Sequence, residues 1–188
     1  RRTQCANRFR QVGLALHNYE SAYQTFPPAD LKWSQSWPLS CGPPADSSNY
    51  SGFGWAIQIL PFLDGKPLYN QIDFNQEVMD NYSLFAAKIE TYKCPSDEQA
   101  GELVHYTNSR TNGISIKEDF MLTNIVGVAD KDDWLCPPTF LRAYQLKFMD
   151  GMFGERQGCR TKYVTDGLSN TLLLAEVTGG GRGSYLGH

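Results

Sequence analysis

The chain has 188 residues, of which 41% are hydrophobic and 20% charged. That is enough apolar content for one folded domain and too much for a disordered chain. Lys and Arg total 17 against 20 Asp and Glu, a net charge of −3, so there is no cationic surplus to neutralise phosphates and no nucleic-acid partner is expected. No window approaches the ~18 consecutive apolar residues that cross a bilayer. Arg1 opens the chain without a Met. The chain therefore reads as a processed or excised piece, with any targeting segment expected upstream.

In chain order, Cys5, Phe9, Val12, Leu16, Tyr19 and Tyr23 recur at spacings of three and four, with Arg8, Arg10, Gln11, Asn18 and Glu20 on the other face. The spacing predicts an amphipathic helix over residues 3–24. Phe26-Pro27-Pro28 ends it, because proline cannot continue a helix and biases the preceding residue towards extended backbone. Residues 27–51 read as a long Pro-rich loop carrying Trp33, Trp37 and Cys41. Phe53, Trp55, Ile57 and Ile59 alternate with smaller or polar residues, which predicts a half-buried strand, with a short aromatic-anchored helix as the alternative. Pro61 and Asp64-Gly65 close that segment. Short helices are expected over 67–72 and 83–92, and residues 98–118 read as polar and irregular. Residues 121–128 have strand composition. Residues 163–165 read as extended, Asp166-Gly167 as a turn and residues 170–177 as a strand.

The five cysteines, Cys5, Cys41, Cys94, Cys136 and Cys159, include no C-x-x-C pair. A zinc ribbon, a thioredoxin-type site and covalent haem are therefore not expected. Scattered cysteines in a loop-rich chain suggest an oxidising compartment with one or two disulfides. The alternative is a set of buried free thiols in a reducing cytosol. The odd count leaves at least one cysteine free or bonded to a partner.

Catalytic signatures are missing: no H-E-x-x-H, G-x-S-x-G or P-loop pattern occurs. His17 reads as a half-exposed helix residue, His105 lies in a polar stretch, and His188 is terminal. Asp166 and Glu176 flank the last strand, and ~35 Å of extended chain would separate them, far beyond the reach of paired glycosidase carboxylates. Asp130, Asp132 and Asp133 are weak candidates for calcium. The EF-hand pattern fails there, with Leu135 and Leu141 where Gly and Glu are needed. Trp33, Trp37 and Trp134 could stack on sugar rings. No catalytic residue and no cofactor is expected.

Residues 1–19 read RRTQCANRFRQVGLALHNY. This is similar to the motif R-R-x-Q-C-x-N-N-L-K-Q-x-G-L-A-L-H-N-Y of the DUF1559-type pilin-like proteins typical of planctomycetes. The resemblance continues at Phe26-Pro27-Pro28, Ile59-Leu60-Pro61-Phe62-Leu63, Leu68-Tyr69-Asn70 and Cys94-Pro95-Ser96-Asp97. It resumes at Thr123-Asn124-Ile125-Val126-Gly127-Val128, Gly151-Met152-Phe153-Gly154, Thr165-Asp166-Gly167-Leu168-Ser169-Asn170-Thr171 and Leu172-Leu173-Leu174-Ala175-Glu176. The order and spacing agree over nearly the whole chain.

The resemblance implies an α+β, pilin-like fold in which an N-terminal amphipathic helix packs on an antiparallel sheet with long loops. Residues 1–24 would be the C-terminal part of a longer helix and residues 25–188 the globular head of the same domain. It implies a pseudopilin-like structural subunit of a surface filament or secretion apparatus of the type IV pilus or type II secretion kind, extracellular or periplasmic, and not an enzyme. The partners would be other pilin-like subunits, reached through a hydrophobic helix expected upstream of Arg1, which would also be the link to a membrane. The family usually continues to a Gly-rich, D-G-S-like final hairpin, whereas this chain stops at His188. Cys5 and Cys94 both fall in family-like motifs, so a Cys5–Cys94 bridge is expected, with Cys136 and Cys159 as a second pair and Cys41 free or intermolecular. The alternative function is an extracellular module that binds surface glycans or another ligand.

Overall fold

A computed structural model describes residues 1–29, 31, 53–76, 81–98, 101–109, 115–128, 151–153 and 158–177. Its first element is the expected helix, α1, Arg2–Tyr23. The helix ends where Gln24 turns left-handed (φ 59°) and donates its N–H to the Glu20 carbonyl at 2.7 Å. That contact satisfies one of the carbonyls a helix end leaves unpaired. Cys5, Val12, Ala15 and Leu16 are buried, Phe9 and Tyr19 are half-buried, and Tyr23 is exposed. The apolar stripe therefore fades towards its C-terminal end.

Residues 53–62 do not form the expected strand. They wind into α2, Trp55–Gln58, and a 3-10 turn, Leu60–Phe62. The reason is burial on every side. Phe53, Trp55, Ile57 and Ile59 are buried, but so are Gly54, Ala56, Gln58 and Leu60. An alternating pattern specifies a strand only when one face meets water. With no wet face, a helical turn satisfies its own backbone: Gly54 O accepts from Ile57 N–H at 3.1 Å and Gln58 N–H at 3.4 Å.

The next expected helix is short, α3, Lys66–Tyr69. The segment 83–92 splits into α4, Tyr82–Phe85, and a 3-10 turn, Glu90–Tyr92. The break falls at Ile89, whose backbone is extended (φ −104°, ψ 102°).

Residues 98–118, read as irregular, contain a hairpin. Strand β1, Leu103–Ser109, pairs antiparallel with β2, Ser115–Met121, from Leu103↔Met121 to Ser109↔Ser115. Strand-favouring Val104, Tyr106, Thr107, Ile116 and Phe120 sit among charged and amide residues that hide the alternation in the sequence. Strand β3, Ile125–Gly127, pairs antiparallel with β4, Leu174–Glu176.

Two C-terminal expectations need correction. Residues 161–163 form a 3-10 turn, with Tyr163 N–H donating to Arg160 O at 2.9 Å. The strand expected over 170–177 is only three residues long, because Leu168–Asn170 is another 3-10 turn. There Asn170 Nδ2 donates to Asp166 O at 2.8 Å and Thr171 Oγ1 to Gly167 O at 3.1 Å. Such local side-chain bonds hold a turn against strand pairing. Asp166-Gly167 is the expected turn, with Gly167 at φ 81°.

The architecture is α+β, a long N-terminal helix with small antiparallel strand pairs, as the resemblance implies. The buried face of α1 rests mainly on the two 3-10 turns Leu60–Phe62 and Glu90–Tyr92. One core joins Val12 and Leu16 to Phe26, Phe53, Ile57, Phe85, Tyr92 and Phe153. Trp55 lies between Tyr92 and Phe153, with ring centroids at 6.2 and 5.2 Å.

Candidate functional site: the junction of helix and head

Four segments far apart in sequence meet beside the first turns of α1. Cys5 on the helix is joined to Cys94 by a disulfide that closes 89 residues of chain, with Cα atoms 4.8 Å apart. A bridge of that span removes roughly 3–5 kcal/mol of denatured-state entropy in the chain-entropy model. Both sulfurs are buried with their residues. Ser96 Oγ lies 3.6 Å from Cys5 Sγ.

Arg8, one helical turn on, reaches the same loop. Its guanidinium donates to the Lys93 carbonyl, and its Nη2 lies 3.4 Å from the Glu90 carboxylate. Glu90 also meets Lys93 Nζ at 2.5 Å. The Lys93 hydrogen bond, helped by the charges of Lys93, Arg8 and Lys88, holds the Glu90 carboxyl below its ordinary pKa. The Glu90 side chain is largely exposed, so this pair adds little stability. The sequence pattern placed Arg8 on the water-facing side of the helix. A long side chain can leave that side and reach a carbonyl on a neighbouring segment.

Asn124 orders the loop from beneath. It is 2% exposed, and its Oδ1 accepts the Cys94 N–H at 2.7 Å. Its backbone N–H donates to Tyr92 O at 3.3 Å, and its carbonyl accepts from Val177 N–H at 2.9 Å. Its Nδ2, on the same carboxamide, is buried and has no hydrogen-bond partner. In the sequence Asn124 stood out only as part of the family-like run Thr123–Val128, and its role comes from contacts with residues about 30 and 50 positions away.

The β3–β4 pairing sets Glu176 opposite Ile125, next to Asn124. Its carboxylate lies within 4.8 Å of both Cys5 Sγ and Cys94 Sγ, the metal-capable group that comes together among the described residues. The sequence reading weighed Glu176 only against Asp166, set that pair aside on distance, and missed this neighbourhood.

The remaining expectations divide. Cys159 is a free thiol, its Sγ 3.6 Å from the carbonyl of its neighbour Arg160, and Cys136, its expected partner, lies outside the described residues. The Cys159 segment is tied to Phe26, whose N–H donates to Cys159 O at 2.8 Å. Burial pushes the Cys159 thiol pKa up, which keeps it protonated. Trp33, Trp37, Cys41, Asp130, Asp132, Asp133, Trp134, Cys136 and His188 lie outside the described residues. His17 is exposed, with its ring 5.5 Å from Phe26. It borders a crevice of about 30 Å³, room for a water molecule rather than a ligand.

A larger cleft of about 370 Å³ is bordered by Thr25, Gly158, Arg160 and Tyr163. The Glu20 carboxylate at the end of α1 accepts from Thr161 Oγ1, fixing one wall of this region to the helix. No helix among the described residues is long and apolar enough to cross a membrane.

No curated protein and no solved structure gives a significant match to the chain. The family model described as "Protein of unknown function (DUF1559)" matches residues 1–185. With the disulfide joining the two family-like motifs around Cys5 and Cys94, the chain belongs to the DUF1559 family.

Proposed function

We propose that this protein is a pilin-like, or pseudopilin, structural subunit of a surface filament or secretion apparatus, working at the cell surface or in the periplasm without catalytic chemistry of its own. The observation that carries this reading is the covalent junction between α1 and the head at Cys5–Cys94. A subunit that assembles through its helix must pass load between helix and head. A disulfide does so where non-covalent contacts would slip, and an extracytoplasmic compartment preserves it. Residues 1–24 then belong to the assembly helix and residues 25–188 to the head. Other subunits of the same kind are the partners, and any membrane contact runs through the helix.

Leu14 is 63% exposed on α1 and offers an apolar contact for a neighbouring subunit. The test is to shear surface material from cells that express the full gene product, image it by electron microscopy and probe it for this chain. The expected result is the chain in filaments or in a secretion-complex fraction, lost in Leu14→Glu with an unchanged melting temperature. Recovery as a free monomer in every fraction, with no effect of Leu14→Glu, would reject the reading.

The cleft bordered by Arg160 and the exposed ring of Tyr163 favours a second reading, a module that binds surface glycans. Its volume suits one or two sugar rings. An aromatic ring beside a multidentate donor fits a polyhydroxylated ligand. Glycan-array binding that disappears in Tyr163→Ala and Arg160→Ala would put this reading first.

A further inference from the structure

We propose that reduction of the Cys5–Cys94 bridge turns the junction into a binding site for a thiophilic divalent ion of the Zn²⁺ class, held by the two thiolates and the Glu176 carboxylate. The ligand types are those zinc takes, two sulfurs and a carboxylate oxygen, with the fourth position left to water. The three donor atoms already lie within 4.8 Å of one another. Tetrahedral zinc with Zn–S of about 2.3 Å sets its sulfurs ~3.8 Å apart. Binding therefore asks for small side-chain rotations and no movement of the strands.

The support around the ligands is also in place. Asn124 Oδ1 fixes the Cys94 backbone, and its buried Nδ2 has no partner. A free N–H donor beside a ligating cysteine is the outer-shell group that orients and stabilises a thiolate ligand. Glu176 is exposed on β4 and gives the ion a path from solvent. The segments that bring the ligands together stay joined after the S–S bond opens, because the β3–β4 pairing and the Arg8 contact to the Lys93 carbonyl do not depend on it.

The exchange balances. A dithiol reductant supplies two electrons and two protons, the S–S bond breaks, and the reductant leaves as its own disulfide. Each cysteine then releases a proton when its thiolate takes the ion. Oxidation by a disulfide donor expels the ion and restores the bridge. The junction is thus closed either by a covalent bond or by a metal.

The experiment is titration of the full chain with Co²⁺ and then Zn²⁺, oxidised and after anaerobic reduction, followed by absorption spectroscopy, calorimetry and thermal melting. Reduced protein is expected to take one Co²⁺ with a thiolate-to-metal charge-transfer band, to exchange it for Zn²⁺, and to melt higher with the ion than without it. Oxidised protein is expected to give none of these. Glu176→Gln, at an exposed position, should bind at least tenfold more weakly at an unchanged metal-free melting temperature, and Cys94→Ser should lose the band. Equal binding by the oxidised chain, by Cys94→Ser or by Glu176→Gln would overturn the proposal by assigning the ion to other groups. So would a reduced chain that neither binds nor is stabilised by the ion.

Discussion

The Tyr19 hydroxyl on α1 donates to Gln58 Oε1 at 3.2 Å, and Gln58 in turn ties three segments together. Its Nε2 donates to the Pro28 and Phe53 carbonyls, each at 3.1 Å, and the residue is 4% exposed. Removing the amide leaves the Pro28 carbonyl without its donor in a buried setting and takes one of two donors from the Phe53 carbonyl, which also accepts from Leu31 N–H at 3.3 Å. Gln58→Leu is expected to cost at least about 2 kcal/mol, whereas Tyr19→Phe, at a half-wet position, is expected to cost about 0.5–1.5 kcal/mol. Urea denaturation of the two variants measures the difference. Equal costs would mean that the backbone carbonyls find other donors.

The Cys5–Cys94 bridge should dominate the stability of the helix junction. Cys5→Ser, without added metal, is expected to lower the unfolding free energy by about 3–5 kcal/mol. Alkylation of the unreduced native chain followed by peptide mapping should leave Cys5 and Cys94 protected and label Cys159 slowly. Labelling of Cys5 or Cys94 in that map would contradict the connectivity.

Tyr92 makes stability fall in alkali. Its ring is fully buried in the core, and its hydroxyl donates to Ala56 O at 2.5 Å. Desolvation by burial raises its pKa well above the ordinary value of a phenol. The folded state then holds this proton more tightly than the unfolded state. The contribution is complete below the unfolded value near pH ~10 and is lost as pH rises above it towards the folded value. The expected outcome is a fall in melting temperature that begins near pH 10 and is smaller in Tyr92→Phe, whose stability at neutral pH is already lower. An identical alkaline slope in the variant would assign the effect to other groups.

Gly158 and Gly167 separate contact from conformation. A Cβ on Gly158 would stand 1.6 Å from the Phe26 carbonyl oxygen, where the two segments cross by a backbone hydrogen bond. Gly158→Ala is expected to cost about 3 kcal/mol or more, since neither backbone can yield without losing that bond. Gly167 has open space around it but sits at φ 81°. Gly167→Ala should cost about 1–3 kcal/mol from backbone strain alone. Melting curves of both variants check the order, and a milder effect at Gly158 would contradict the crossing.

The helix, its end and the family were legible from local pattern. A helix is made by bonds between near neighbours, so the stripe from Cys5 to Tyr19 and the stop at Phe26-Pro27-Pro28 carried enough information locally. The Asp166-Gly167 turn was legible for the same reason. Residues 53–62, 103–121 and 161–177 take their backbone from contacts with distant parts of the chain. Burial on all sides overrode the alternation at Phe53–Ile59. The β1–β2 hairpin depends on a pairing that no single segment specifies. Side-chain bonds at Asn170 and Thr171 shortened the last strand. The junction was half legible. The family-like motifs pointed to Cys5 and Cys94, but Arg8, Asn124 and Glu176 joined them only because strand pairing and packing bring distant segments together. Local propensity reports which backbone shapes are cheap, and the contacts that choose among them lie far away in the chain.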